Sequence, residues 1–244
     1  YAGSRPSACW LIGGGPSLAQ ADLPTLRTAP IPSMAINLAG CRLLRPNFWT
    51  SYDPSARFHK SIYLDPGITK FLHRRRATDL VPETTFKVGD CPNTLFFERD
   101  GARGFADFLS PRHTGIVDWA DSMVQAIDIL YRLGFRTLYL VGCDMRVDPA
   151  PAQQECAARQ DVAYDETQLL GDFVKRCAES GLDIDTLDAV GPASCYHFEE
   201  TKPLRAAVNT DRHYFRIAQS LRLSQRSCAL AGLRMVSATP RSRL

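Results

Sequence analysis

The chain has 244 residues, 45% of them hydrophobic, and a formal charge of +3, which supplies apolar surface for a sizeable core and excludes disorder. No run approaches the roughly 18 consecutive apolar residues that span a bilayer, so no membrane span is expected. The charge is too small to impose a nucleic-acid partner by itself.

The opening Tyr1-Ala2-Gly3-Ser4-Arg5 lacks the charged-then-apolar order of a signal peptide, and a cytoplasmic location is expected. Eight cysteines (Cys9, Cys41, Cys91, Cys143, Cys156, Cys177, Cys195 and Cys228) show no C-x-x-C spacing. Several stand in apolar, strand-like surroundings, so free buried thiols are expected rather than a disulfide framework. Positive charge is unevenly placed: Arg74-Arg75-Arg76 forms one knot, and from Asp211 onward there are seven arginines and a single acid. A solvated surface with a basic tail explains this, and a polyanion contact explains it equally.

In chain order, Ala8 to Ile12 is a short apolar run halted by three glycines, the pattern of a buried parallel strand feeding a tight turn. Ser33 to Ile36, ending in Asn37, and Phe48 to Tyr52, ending in Asp53-Pro54, predict two more strands that each deliver a polar residue at the carboxyl end. Residues 55–111 are rich in Pro, Gly and charge, with a possible strand near Thr84 to Val88; they are expected to be irregular, forming a lid or an acceptor-side subregion. Ile116, Ala120, Met123, Val124, Ile127, Leu130 and Tyr131 recur at helical spacing, closed by Gly134 ahead of a strand from Thr137 to Val141. A helix over Asp165 to Ala178, a strand from Leu182 to Leu187, a helix over Asn209 to Leu223 and a last strand from Arg234 to Ser237 follow. Strands alternating with helices of this length predict an α/β, Rossmann-like fold, a mostly parallel sheet covered by helices on both faces, in one domain spanning 1–244.

Ligands of such sheets bind at the carboxyl edge of the strands. Three glycines there let backbone approach a ligand, with turn amides and the Ser17 hydroxyl as donors for a phosphate. The motif is neither G-x-G-x-x-G nor a P-loop, and a purely structural turn fits it too. Thr114-Gly115 stands where the long helix is expected to begin, as an anion-binding terminus or an ordinary cap. Asn37 offers an amide that reads a base or ribose edge, or serves a turn. Asp144 in Gly142-Cys143-Asp144 places a carboxylate at the same edge, to hold a sugar hydroxyl or to cap. Among the histidines, His197 in Tyr196-His197-Phe198-Glu199-Glu200 is the candidate general base, and no H-x-x-x-H or H-x-H pairing supports a metal site.

Ile12-Gly13-Gly14-Gly15-Pro16-Ser17-Leu18, Asn37, Thr114-Gly115 and the run from Leu133-Gly134 through Leu138-Tyr139-Leu140-Val141-Gly142-Cys143-Asp144 occur in order. In this ordered set the chain resembles bacterial sialyltransferases with a Rossmann-like fold. It is also similar, at the glycine turn and the Gly-x-Asp strand end, to phage and bacterial proteins of unassigned activity and to archaeal hydroxymethylpterin pyrophosphokinases. The resemblance implies a GT-A-like variant in which Gly13, Gly14, Gly15, Pro16, Ser17, Asn37, Thr114 and Gly115 hold the nucleotide of an activated sugar. It implies that His197 deprotonates an acceptor hydroxyl without a metal; no cofactor is expected, and Asp144 at the sheet edge is expected as the second catalytic residue. Tyr196-His197-Phe198, Asn209, Tyr214 and Gly232 through Ser237-Ala238-Thr239-Pro240 look like the closing segment of the phage relatives; Tyr196, Asn209 and Tyr214, with Asp53 at the carboxyl end of its strand, are expected on the substrate.

Two departures stand out. The sialyltransferases usually carry an asparagine where Gly14 stands, and a phosphate-contacting tyrosine after the Gly-x-Asp strand end, where this chain has Met145-Arg146. Arg146 is the expected substitute. The expected activity is transfer of a sugar from a nucleotide sugar to a glycan, or to a hydroxymethylated DNA base in a phage-like modification reached through Arg74–Arg76 and the arginine-rich end. The alternatives are a pterin-type pyrophosphokinase or phosphotransferase, which would need magnesium and cleft carboxylates such as Asp53 and Asp144, and a nucleotide- or nucleic-acid-binding module without catalysis.

Overall fold

The computed structural model describes residues 7–39, 43–191, 194–197 and 200–244. Strands β1 (Ser7–Ile12), β2 (Ser33–Ile36), β3 (Phe48–Thr50), β4 (Thr69–His73) and β5 (Thr94–Phe97) are followed by a short separate parallel pair, β6 (Arg99–Asp100) and β7 (Ile116–Val117). Next come β8 (Phe135–Val141), an antiparallel hairpin of β9 (Ser194–His197) and β10 (Glu200–Lys202), and β11 (Arg234–Ser237). Seven strands form one parallel sheet in the order β11-β8-β1-β2-β3-β4-β5. The chain is α/β and Rossmann-like. The helices among the described residues are α1 (Leu23–Thr28), α2 (Lys60–Leu64), α3 (Ser122–Arg132), α4 (Pro151–Ala158), α5 (Leu170–Glu179), α6 (Ile184–Ala189), α7 (Leu204–Leu223) and α8 (Gln225–Leu230).

Successive strand residues point to opposite faces, and the core divides accordingly. Leu11, Met34, Phe48, Phe71 and Leu140 pack on one face against Val124, Ile127 and Leu130 of α3 and Ile217 and Leu221 of α7. Ile12, Ala35, Trp49, Leu72 and Val141 face the other layer, with Leu18, Phe58, Ile62 and Tyr63. A third cluster, including Val147, Leu170, Phe173, Leu187 and Leu204, ties α4 through α7 together beyond the end of β8. Asp211 on α7, fully buried, joins that layer to the sheet: it accepts the Val147 and Leu170 amides (3.0 and 2.9 Å) and pairs with Arg243 at 2.6 Å.

Several elements differ from the sequence expectation. The segment 55–111 is not wholly irregular, since it supplies β4 and β5 to the sheet. Thr84 to Val88 forms no strand; only an isolated bridge joins Leu80 to Lys87. Leu182 to Leu187 is not a strand either, because the Asp183 carboxylate accepts the Thr186 amide at 2.8 Å and caps α6 there. The long helix starts at Ser122 rather than near Thr114. Ile116 and Val117 are drawn into pairing with β6, Ala120 takes a left-handed φ of +56°, and Asp121 caps the helix by accepting the Met123 and Val124 amides. Cys9, Cys91, Cys143, Cys156, Cys177 and Cys228 are free; Cys41 and the side chain of Cys195 lie outside the described residues. No described helix is long and apolar enough to cross a membrane.

Candidate functional site

From β1 the chain steps outward through β2 to β5, and β8 then returns to the other side of β1. Between β1 and β8 the winding reverses, and the space above their carboxyl ends at such a switch point is the place where open α/β sheets take ligands. A cleft of about 240 Å³ opens there, lined by the glycine turn, the β8 loop, the start of α3, the β9–β10 hairpin and one face of α7.

The glycine wall is zipped to the β8 loop by backbone. Gly13 N–H donates to Val141 O and Gly15 N–H to Gly142 O, both at 2.8 Å. These two amides are therefore occupied, contrary to the expectation that the turn amides are free for an anion; the Gly14 amide makes no hydrogen bond among the described residues. Close approach explains the glycines. A Cβ on Gly13 would lie 2.5 Å from Gly142 O, one on Gly15 would collide with the Asp144 carboxylate, and Gly142 has a φ of +66°. At Gly14 a Cβ would meet only the His197 ring, at 3.6 Å. Ser17 is not a free donor either: its hydroxyl binds Asp144 at 2.8 Å, and Pro16 and Ser17 line a neighbouring cleft of about 400 Å³ instead. Asp144 borders both clefts. Burial raises its carboxyl pKa, against hydrogen bonds from Ser17. The loop that carries Asp144 is clamped by the C-terminal segment, with Ser242 donating to Cys143 O at 2.6 Å and Thr239 accepting the Cys143 amide at 3.1 Å.

On the opposite wall stands the hairpin. His197 is 7% exposed and its Nδ1 lies 2.6 Å from Glu200 Oε2. A carboxylate partner fixes the proton on Nδ1 and leaves Nε2 as the basic nitrogen, 3.5 Å from the Tyr214 hydroxyl. Burial lowers the His197 pKa below its ordinary 6.5, with Glu200 opposing that shift, so the imidazole is neutral at pH 7. For Glu200, burial opposes ionisation but His197 and Arg57 outweigh it, and its pKa falls. Tyr196 stacks on His197 with centroids 4.2 Å apart, and its hydroxyl accepts from Arg57 at 2.7 Å and donates to Glu200 at 3.0 Å. Arg57 also binds Asp53 (2.7 Å) and Glu200 (2.9 Å), tying the loop after β3 to the hairpin. Burial pushes the Tyr214 phenol pKa upward.

No family model, curated protein or solved structure matches the chain. The chemistry of the cleft therefore rests on its own side chains. Of the residues expected there, Gly13, Gly14, Gly15, Asn37, Asp53, Asp144, Arg146, Tyr196, His197 and Tyr214 are brought together. Asn37 is firmly set: its Oδ1 accepts from Ser51 (2.7 Å) and Ser122 (2.8 Å), and its carbonyl accepts Trp49 Nε1 at 3.0 Å. Arg146 lines the cleft but is committed to Asp148 (2.8 Å) and Glu166 (3.3 Å).

Besides Pro16 and Ser17, three expected residues are elsewhere. Thr114 and Gly115 give their carbonyls to Arg132, the last residue of α3, so they sit at the far end of an 11-residue helix, roughly 16 Å long, from the terminus that faces the cleft. Asn209 is exposed beside Leu169 and Arg212, because the cleft takes the α7 face bearing Thr210, His213 and Tyr214. Phe198 lies outside the described residues. Among the seven C-terminal arginines, Arg243 pairs with Asp211 and Arg241 with Glu166, so these two are internal contacts; Arg74–Thr78 form a turn at the carboxyl end of β4.

Arg57, Asp121, Ser122, Glu200, Lys202 and His213 also shape the site, and the sequence reading singles out none of them. Asp121-Ser122 ahead of an apolar periodic run is a cap signature that could have been read. The i+3 spacing of Glu200 from His197 is a weaker signal, and Arg57 has none beyond its i+4 distance from Asp53. Asn37, Ala120 and Met145 all take left-handed φ values (+51°, +56° and +54°) and all line the cleft, a concentration of backbone strain at one place. Among the described residues no group of three or more His, Cys, Asp or Glu side chains is arranged to hold a metal.

Proposed function

We propose that the protein is a glycosyltransferase that moves a sugar from a nucleotide-sugar donor to an acceptor hydroxyl, with His197 as general base. The observation that carries this reading is the His197–Glu200 pair, 2.6 Å apart, set against Gly14 in the crevice between β1 and β8. A neutral, oriented imidazole next to a backbone wall without side chains suits deprotonation of a hydroxyl beside a bound nucleotide. In the step proposed, the acceptor O–H proton passes to His197 Nε2 and the acceptor oxygen bonds to the anomeric carbon. The bond from that carbon to the phosphate oxygen breaks, and its electron pair leaves with the nucleotide. Glu200 holds the imidazole and stabilises its charged form, and Asp144 holds a hydroxyl of the transferred sugar. The acceptor, a glycan or a hydroxymethylated DNA base flipped from its stack, approaches along the sheet edge that bears Arg74–Arg76.

A second reading, a magnesium-dependent phosphotransferase or pyrophosphokinase of the pterin type, draws on a different observation: Asp53, Asp121 and Asp144 all line the cleft, although among the described residues no three such side chains are arranged to hold a metal. Thermal shift separates the two. The transferase reading expects stabilisation by UDP-, CMP- or GDP-sugars that persists in chelator; a ligand at 100 times its Kd adds about 2.7 kcal/mol. Stabilisation confined to magnesium with ATP would favour the second reading, and no response to any nucleotide compound would contradict both.

A further inference from the structure

The cations around the cleft are not equivalent. Arg57 is neutralised by Asp53 and Glu200, and Arg146 by Asp148 and Glu166. His213 faces Asp121 at 3.5 Å. Lys202 differs. Its ammonium donates to the Thr210 hydroxyl at 2.7 Å and lies 3.6 Å from the centroid of the Tyr196 ring, and among the described residues it forms no ion pair.

An ammonium has three protons and is costly to desolvate without an anion. Thr210 and the face of Tyr196 satisfy part of that demand, and both groups line the cleft with Lys202. Burial, reinforced by Arg57 nearby, lowers the lysine pKa, with Glu200 and Asp53 opposing; the charged form thus lacks a full counterion in the folded protein. Tyr196 touches both Lys202 and His197, so the ammonium and the imidazole share one aromatic neighbour in the cleft.

We propose that Lys202 forms an anion subsite that takes a phosphate group of the ligand, with Thr210 as its positioning residue, since the Thr210 hydroxyl accepts from the lysine and gives its own proton to Ala206 O at 3.2 Å. That the phosphate belongs to a nucleotide rests on the proposed function; the subsite itself does not. In a transferase it would hold the leaving phosphate, offering a mobile point charge where Arg57 and Arg146 are already tied down.

The test is calorimetric titration at low salt with inorganic pyrophosphate, using wild type, Lys202→Met, Lys202→Arg and Thr210→Val, each first shown to melt cooperatively. Wild type is expected to bind. Loss of a charge-assisted contact predicts affinity weakened about tenfold or more in Lys202→Met and about threefold in Thr210→Val, with Lys202→Arg near wild type. Unchanged affinity in Lys202→Met, or no wild-type binding at millimolar pyrophosphate, overturns the subsite. Should Lys202→Met fail to fold, Thr210→Val decides by the same criterion. If pyrophosphate binding depends on Lys202 while UDP, CMP and GDP compounds bind no better than pyrophosphate, the subsite stands and the nucleotide reading falls.

Discussion

On one side of the cleft the chain presents backbone: Gly13 and Gly15 bonded to the end of β8, and Gly142 in a left-handed turn against them. On the other side it presents side chains, with Tyr196, His197, Glu200 and Lys202 of the hairpin joined to Arg57 and Asp53 by hydrogen bonds and ion pairs. The first wall fixes the shape of the cleft through contacts that tolerate no added atoms. The second carries the histidine–carboxylate pair and is held by partners distant in sequence. Substitutions should therefore split: changes on the glycine wall act on stability, and changes on the hairpin wall act on turnover.

The sharpest break of that division would come from His197→Ala. Removing the base is expected to lower turnover by about 10²- to 10⁴-fold while nucleotide affinity and melting temperature stay near wild type; steady-state kinetics alongside calorimetry checks both halves. Next is Asp211→Ala, which touches no ligand. It leaves Arg243 and two amides without their buried partner, and urea unfolding should show a loss of about 3–5 kcal/mol.

Within the glycine wall, Gly13→Ala forces a methyl against Gly142 O and should cost about 1–3 kcal/mol. Gly14→Ala makes only ordinary contact with His197 and should cost less than about 1 kcal/mol, showing its effect in ligand binding instead. Equal destabilisation by the two would contradict the close approach that sets Gly13 apart from Gly14.

The pH response belongs to the hairpin wall. Burial depresses the His197 pKa below 6.5, so kcat/KM should be flat above that value and fall about tenfold per pH unit below the depressed pKa. The same shift gives a stability contribution that is full above pH 6.5, the ordinary value, and is lost as pH falls through the folded pKa, because the unfolded chain takes up the proton first. Between neutral and mildly acidic pH the wild-type melting temperature should fall more steeply than that of His197→Asn, which lacks the titrating group. The smallest expected effect is at Ala120, where glycine relieves a left-handed φ of +56° and should stabilise by up to about 1 kcal/mol.

The legibility of the sequence follows the same line. The apolar run into Gly13-Gly14-Gly15 and the strand into Gly142-Cys143-Asp144 are local patterns, and both lie where parallel pairing to β2 and β11 completes the sheet. His197 could be named because its residue type titrates near neutral pH, but its partner Glu200 is set by hairpin geometry that no periodicity records. Thr114-Gly115 misleads because Ile116 and Ala120 keep helical spacing with the residues of α3, while pairing with Arg99–Asp100 claims Ile116 and Val117. The strands Thr69–His73 and Thr94–Phe97 are too short and too closely flanked by charge to show alternation, yet His73 ends beside the arginine knot. In each case a contact distant in sequence overrides the local signal.

Hydrogen exchange read by mass spectrometry, with and without a panel of nucleotide sugars, tests the central claim most directly. A nucleotide-type ligand in the crevice between β1 and β8 predicts protection in peptides covering 13–18, 142–147 and 194–204 together, with little change around 113–116. Binding that protects a different surface, or leaves both walls of the cleft exchanging as in the free protein, would contradict it.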